Sequence, residues 1–291
     1  MTALSEALAM VGTWPVPDAA AVVVTSEQVI TTVGDVGRPF PLASVTKLVA
    51  AVATLVAVEE EAVTLDASLP DAVLETLPAG PPAGLTLRHL LAHASGLDAE
   101  GTRWQAAPET RRIYSNAGFD AVAATVAHAT GMTFGAYFHE AVVRPLDLPA
   151  TRLDGSAAKD GVASAADVAV VISQFLLPGG ISQIGLLHPT TLASATEVQW
   201  PGLRGVLPGF GGQADNTWGL GIEVRDRKAP HWTGSGNSPA TFGHFGQSGT
   251  MTWVDPVAGV GVVALADRAF GPWAAEAWPA FSDAVLRAVT P

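Results

Sequence analysis

The chain contains no cysteine. Disulfides, thiolate metal sites and cysteine nucleophiles are therefore excluded. Lysine is scarce as well, with only Lys47, Lys159 and Lys228, and tyrosine is limited to Tyr114 and Tyr137. Basic residues number 15 against 27 acidic ones, a formal net charge of -12. That balance argues against nucleic acid or an anionic membrane surface as a partner, because both attract basic surfaces. No Lys or Arg precedes Arg38, so the basic start of a secretory signal is missing, and so is its continuous apolar segment. A cytoplasmic protein is expected, or a mature form whose signal has been removed. The longest apolar run, Leu48 to Val58, is bounded by Lys47 and by Glu59-Glu60-Glu61. It is too short to span a bilayer, so no membrane insertion is expected.

What is present points to a mixed fold. Of 291 residues, 48% are hydrophobic, enough for a sizeable core. Residues Ala21–Val24 and Val29–Val33 are β-branched runs that read as strands, with Thr25-Ser26-Glu27 as the turn between them. Val45 to Glu60 reads as a long buried helix. An acidic, Pro-rich stretch follows, ending near Pro82. Helical pattern returns at Leu85–His93, Phe119–Thr130, Phe134–Arg144 and Ser164–Leu177. Residues 201–216, rich in Gly and Pro, read as a loop. Trp218–Val224, Met251–Asp255 and Val260–Ala266 read as strands, and Asp283–Val289 as a closing helix. Strands at both chain ends with helices between imply an α/β part from residues 1–60 and 215–291. A mainly helical part, residues 61–214, is inserted between them.

The candidate nucleophile is Ser44. A neutral serine hydroxyl needs a neighbouring base. Lys47 follows at i+3, on the same helix face, where its amine can reach the hydroxyl. To accept a proton that amine must be neutral, and burial lowers its pKa toward that state. The spacing alone does not decide the matter, because Ser156 and Lys159 share it. That second pair lies between Asp154-Gly155 and Asp160-Gly161 and reads as a solvated turn, whereas Ser44 and Lys47 open an apolar helix.

Pro41-Leu42-Ala43-Ser44-Val45-Thr46-Lys47-Leu48 resembles the nucleophile segment of the serine β-lactamase and penicillin-binding-protein superfamily. The match is to its class C β-lactamase, DD-peptidase and esterase branch. Leu85 to Leu97 resembles another segment of that branch. Tyr114-Ser115-Asn116 resembles its second motif, Tyr-x-Asn. His244-Phe245-Gly246 resembles its third, with His in place of the Lys of Lys-Thr-Gly. The resemblance runs from about Pro39 to Arg268 with the motifs in family order. It implies a β-lactamase/transpeptidase-like α/β (α+β) fold: an antiparallel sheet flanked by helices, with an inserted mainly helical region. The active site would lie between the two parts of one compact unit.

The resemblance also implies roles. Ser44 would attack a carbonyl and become acylated, with Lys47 and Tyr114 sharing general-base work. A nearby ammonium would favour the Tyr114 phenolate. Asn116 would bind Lys47 and a substrate amide, and His244 would support Tyr114 or the leaving group. The backbone N–H groups of Ser44 and Gln247 would form the oxyanion hole. Gly246 would let its strand approach the substrate. Trp200, Phe210, Trp218 and Trp232 either line an apolar acyl pocket, together with Phe245, or plug an interface. His89 and His93 stand at i, i+4, but no acidic residue lies between them, and the resemblance makes their segment structural. No metal and no cofactor is expected. The substrate is expected to be a small ester or amide, cleaved by a carboxylesterase or a small amide or peptide hydrolase. DD-carboxypeptidase and β-lactamase are the alternatives, and a catalytically inactive binding or sensor domain on the same scaffold is a further one. Oligomeric state stays open.

Overall fold

The structure, a computed structural model, describes residues 2–25, 28–176 and 179–289. The expected turn residues Ser26 and Glu27 and the expected helix end at Leu177 lie outside the described residues. Helix α1 (Ala3–Ala9) starts at Thr2, whose hydroxyl accepts from the Ser5 N–H. Strands β1 (Ala19–Thr25) and β2 (Val29–Val33) follow, then the short β3 (Pro39–Pro41). A single 3-10 turn, Ala43–Val45, leads into α2 (Thr46–Glu59). Every α2 residue from Thr46 to Ala57 is buried, which makes α2 a central helix apolar on nearly all sides.

The helical region contains α3 (Asp71–Leu74), α4 (Leu87–Leu91), α5 (Asn116–Thr130) and α6 (Phe134–Phe138). It continues with β4 (Arg152–Leu153), β5 (Gly161–Ser164), α7 (Ala165–Ser173) and α8 (Pro189–Thr196). Ser115 caps α5 at its start, and Gly131, at φ 70°, ends it in the left-handed conformation. The chain then forms β6 (Gly205–Leu207), β7 (Gly211–Gln213), β8 (Glu223–Val224), β9 (Phe242–Gly246), β10 (Thr250–Asp255), β11 (Val260–Ala266) and α9 (Pro272–Val289).

The main sheet has the order β2-β1-β11-β10-β9-β8, with every neighbouring pair antiparallel. Its strands come from residues 19–33 and 223–266. Side chains alternate between its two faces. Ala20, Val22 and Val24 of β1 join the core built around α2, α5 and α7. Ala21 and Val23 join a second core with α1 and α9, where Trp278, Phe281 and Val285 are fully buried. The expected antiparallel sheet flanked by helices is therefore present.

Several elements differ from expectation. Residues 201–216 are not simply a loop, because β6 and β7 pair there as a hairpin. Only Glu223–Val224 of the expected strand Trp218–Val224 is a strand. Gly219 to Ile222 form a tight turn, closed by the Gly219 N–H donating to the Ile222 carbonyl. The expected helix Phe134–Arg144 changes after Phe138 into a π-helical turn, His139–Val143. The closing helix starts at Pro272, well before Asp283. Among the described residues no helix is long and apolar enough to cross a membrane.

Candidate active site

Ser44 lies in the 3-10 turn at the head of α2 and is partly exposed. Ala43 before it takes φ 45°, a left-handed conformation that a side chain rarely adopts. The turn is fastened from the far end of the chain. Thr250 Oγ1 donates to the Leu42 carbonyl at 2.8 Å and Ser248 Oγ to the Pro41 carbonyl at 2.6 Å. Gly246 permits this approach, since a Cβ there would lie 2.3 Å from the Leu42 carbonyl oxygen. The glycine thus brings β9 against the nucleophile turn itself.

Lys47 is wholly buried, and its Nζ lies 3.4 Å from Ser44 Oγ. Nζ also donates to Asn116 Oδ1 and to the Ala158 carbonyl, each at 2.8 Å. Burial pushes the amine from 10.5 down to about 7. Asp120 opposes that fall, Lys159 adds to it, and Glu100 opposes it. A neutral amine has two N–H groups and one lone pair. Asn116 and Ala158 occupy the two N–H groups, which leaves the lone pair for the Ser44 hydroxyl.

Asn116 opens α5. The Ser115 cap beside it accepts from the Gly118 N–H at 3.0 Å and donates to the Asp98 carbonyl at 2.6 Å, fixing the turn. The Tyr114 ring centroid lies 4.6 Å from Lys47 Nζ, and the ring packs against His93 and Trp218. Burial raises the Tyr114 phenol above its ordinary value, while a hydrogen bond with Ser44 works in the opposite direction. The expected phenolate is not the state these surroundings favour. Lys47, whose ammonium was to stabilise it, is itself driven toward neutrality.

His244 on β9 is buried, and its Nδ1 donates to the Phe245 carbonyl at 2.7 Å. Nε2 therefore carries the lone pair and has no hydrogen-bond partner among the described residues. Burial, then the nearby Lys47, lowers this imidazole to about 3. It is neutral at physiological pH and is not a cationic anchor.

Ser44, Tyr114, Asn116, His244 and Gln247 all border one cavity of about 130 Å³. Leu207, Pro208, Trp218, Phe245 and Glu223 border it too. The expected aromatic group divides. Trp218 and Phe245 face the cavity, while Trp200 stacks on His89 at 4.9 Å. Phe210 and Trp232 pack behind, against Phe245.

Three features escaped the sequence reading. The Ser156–Lys159 turn is not merely solvated, because it delivers the Ala158 carbonyl to Lys47. Ser156 Oγ steadies that peptide by accepting from the Ala158 N–H and donating to Asp120. His93 lies beyond α4 at φ 55° and turns away from any pairing with His89. Its Nδ1 accepts from the Ser115 N–H at 3.1 Å, while His89 meets Thr86 and Glu109. Glu223, the third, is a buried carboxylate at the cavity edge.

Known proteins resemble the chain over part or nearly all of its length. A β-lactamase from Mycobacterium bovis is 48% identical, with a TM-score of 0.90, over 98% of this chain and 100% of that one. EstCE1, described as a hydrolase with promiscuous acyltransferase activity, shares the fold at 19% identity and a TM-score of 0.79, over 98% of both chains. A putative D-alanyl-D-alanine carboxypeptidase of Escherichia coli is 24% identical over 217 residues, 57% of this chain and 47% of that protein. The chain spans about half the length of the curated relatives it matches. The sequence model of the family described as Beta-lactamase matches residues 14–286, and the chain belongs to that family.

Proposed function

We propose that the protein is a carboxylesterase, or a hydrolase of small uncharged amides, working through an acyl-enzyme on Ser44. One observation carries this reading. The cavity beside Ser44 is small, and among the described residues its border combines the reacting groups and the Glu223 carboxylate with Leu207, Pro208, Trp218 and Phe245, and includes no Lys or Arg. A peptide ending in a carboxylate, or a β-lactam with its ring carboxylate, needs a positive partner in the site. His244 stands where the family's motif carries lysine, and it is neutral.

In this mechanism the Lys47 lone pair draws the proton from Ser44, directly or through the Tyr114 hydroxyl, as Ser44 Oγ attacks the carbonyl carbon. Tyr114 acts as a relay and not as a standing phenolate. The Ser44 and Gln247 N–H groups receive the developing oxyanion, an interaction commonly worth about 3–4 kcal/mol. The leaving alkoxide or amine takes its proton from the Lys47–Tyr114 pair. His244 Nε2 accepts a hydrogen bond from Tyr114 or from the leaving group. Water then repeats the cycle against the acyl-enzyme, with the same groups as base.

β-Lactam hydrolysis is the second reading, favoured by the 48% identity to the M. bovis protein of that name. An activity panel separates the readings: p-nitrophenyl acyl esters, nitrocefin and D-Ala-D-Ala peptides, with mass spectrometry of the acylated peptide. The ester reading expects turnover of short acyl esters and an adduct on Ser44, both lost in Ser44→Ala. An adduct on Ser156, or nitrocefin turnover without esterase activity, would overturn it. Absence of any adduct or turnover would favour a non-catalytic domain.

A further inference from the structure

Behind the reacting groups lies a set of buried charges that the mechanism above does not use. Glu223 on β8 is 2% exposed and Lys228 3%. Lys228 Nζ donates to Glu223 Oε1 at 2.7 Å and to the Thr217 carbonyl at 2.9 Å. His231 accepts the Thr233 N–H on Nδ1, so its Nε2–H points to Glu223 Oε1 at 3.0 Å. Trp232 Nε1 donates to Oε2 at 2.7 Å. Burial alone would raise this carboxyl, but Lys228 and His231 outweigh it and hold it well below the usual carboxylate range.

The cluster is polarised relative to the active site. Glu223 borders the cavity that holds Ser44, whereas Lys228 borders a separate polar hollow beside Gln213 and Asp215. The same pair frames a wall of the cavity. Trp218 bridges to Glu223 in the backbone, and the Lys228 ammonium stands 5.9 Å from its ring. Buried ion pairs seldom stabilise a fold more than apolar residues of the same size would. Stability therefore does not account for a carboxylate placed on the substrate side.

We propose that Glu223 selects substrates by charge. Held at the cavity edge by Lys228, His231 and Trp232, its carboxylate repels substrates that carry a carboxylate into the site. It also engages the Lys228 ammonium, which stands behind the Trp218 wall and could otherwise attract them. This deepens the ester reading and rests on it.

The test compares 4-butyryloxybenzoate with its methyl ester, a pair that differs in one negative charge, for the wild type, Glu223→Gln, Lys228→Met and the double variant. The measured quantity is the ratio of kcat/KM for the methyl ester to that for the acid. Lys228→Met should have the largest ratio, followed by the wild type, the double variant and Glu223→Gln. Between wild type and Glu223→Gln the ratio should fall about tenfold, the scale of one unit charge acting through a low-dielectric wall. If Glu223→Gln does not fold, the order of the other three proteins still decides. A folded Glu223→Gln with the wild-type ratio, or parallel loss of both substrates in all variants, would overturn charge selection. Wild-type protein that cleaves neither compound through Ser44 would overturn the ester reading, and this proposal with it.

Discussion

Replacing Lys47 with methionine should abolish activity and remove a pH dependence from the protein's stability. In the fold the amine falls from 10.5 to about 7 because it is buried. That fall corresponds to roughly 5 kcal/mol of preference for the neutral form. Below about pH 7 the ammonium is charged in both folded and unfolded chains, and the folded state bears the full desolvation cost. Between about 7 and 10.5 the unfolded chain binds the proton and the folded chain does not, so wild-type stability rises with pH. Methionine has no such dependence. It leaves Asn116 Oδ1 and the Ala158 carbonyl without their shared donor, which costs about 1–3 kcal/mol each. The net change at pH 6 therefore lies between about -1 and +3 kcal/mol. The sharper quantity is the pH dependence. From pH 6 to pH 9 the wild type should gain about 2.7 kcal/mol on the variant, two pH units at 1.36 kcal/mol each. Urea unfolding of both proteins at several pH values measures this. In parallel, wild-type kcat/KM should rise with pH through about 7, as the base loses its proton. A stability difference that stays constant from pH 6 to 9 would refute the claim that Lys47 is held near neutrality.

Three further outcomes follow from the geometry. Tyr114→Phe should retain the fold and lower kcat by about a hundredfold or more, because it removes the hydroxyl beside Ser44; stopped-flow acylation by a p-nitrophenyl ester checks this. Gly246→Ala should separate β9 from the nucleophile turn, since the new Cβ would meet Leu42 O at 2.3 Å and Thr250 Oγ1 at 2.5 Å. Expected are about 1–3 kcal/mol of lost stability, read by denaturant melts, and a larger fall in kcat than in binding. Trp218→Ala should cost about 3–5 kcal/mol and shift the preference toward longer acyl chains by enlarging the cavity of about 130 Å³. Unchanged acyl-chain preference in a folded Trp218→Ala protein would show that this wall does not set the acyl group.

The parts of the site legible in the sequence were those carried by side-chain identity. Ser44 with Lys47, Tyr114 with Asn116, and His244 to Gln247 each form a compact pattern; the structure places Ser44, Tyr114, Asn116, His244 and Gln247 around one cavity, with Lys47 buried beside Ser44. Strands β1, β2, β10 and β11 of the main sheet were legible because their runs are rich in β-branched residues and bounded by turn residues, whereas β9, Phe-Gly-His-Phe-Gly, carries no β-branched residue and does not read as a strand. What escaped has a common physical cause. The Ala158 carbonyl is a backbone group, so nothing in the residue's identity announces it. β6 and β7 are three residues each and rich in glycine, so no alternation can develop. The start of α9 is masked by Pro279 within it. Glu223, Lys228 and His231 are close in sequence, and only the fold shows that they bury one another.

The nucleophile turn is clasped by residues made long after it. The hydrogen bond from Thr250 to Leu42 joins positions 208 apart, and that from Asp18 to Asp267 joins positions 249 apart. At translation speeds of about 5–20 residues per second, a growing chain carries Ser44 for about 10–40 s before its clasp exists. The geometry around Ser44 is thus completed only with the late strands of the main sheet. Until β10 is made, neither Ser248 nor Thr250 is present to hold the Pro41 and Leu42 carbonyls beside Ser44.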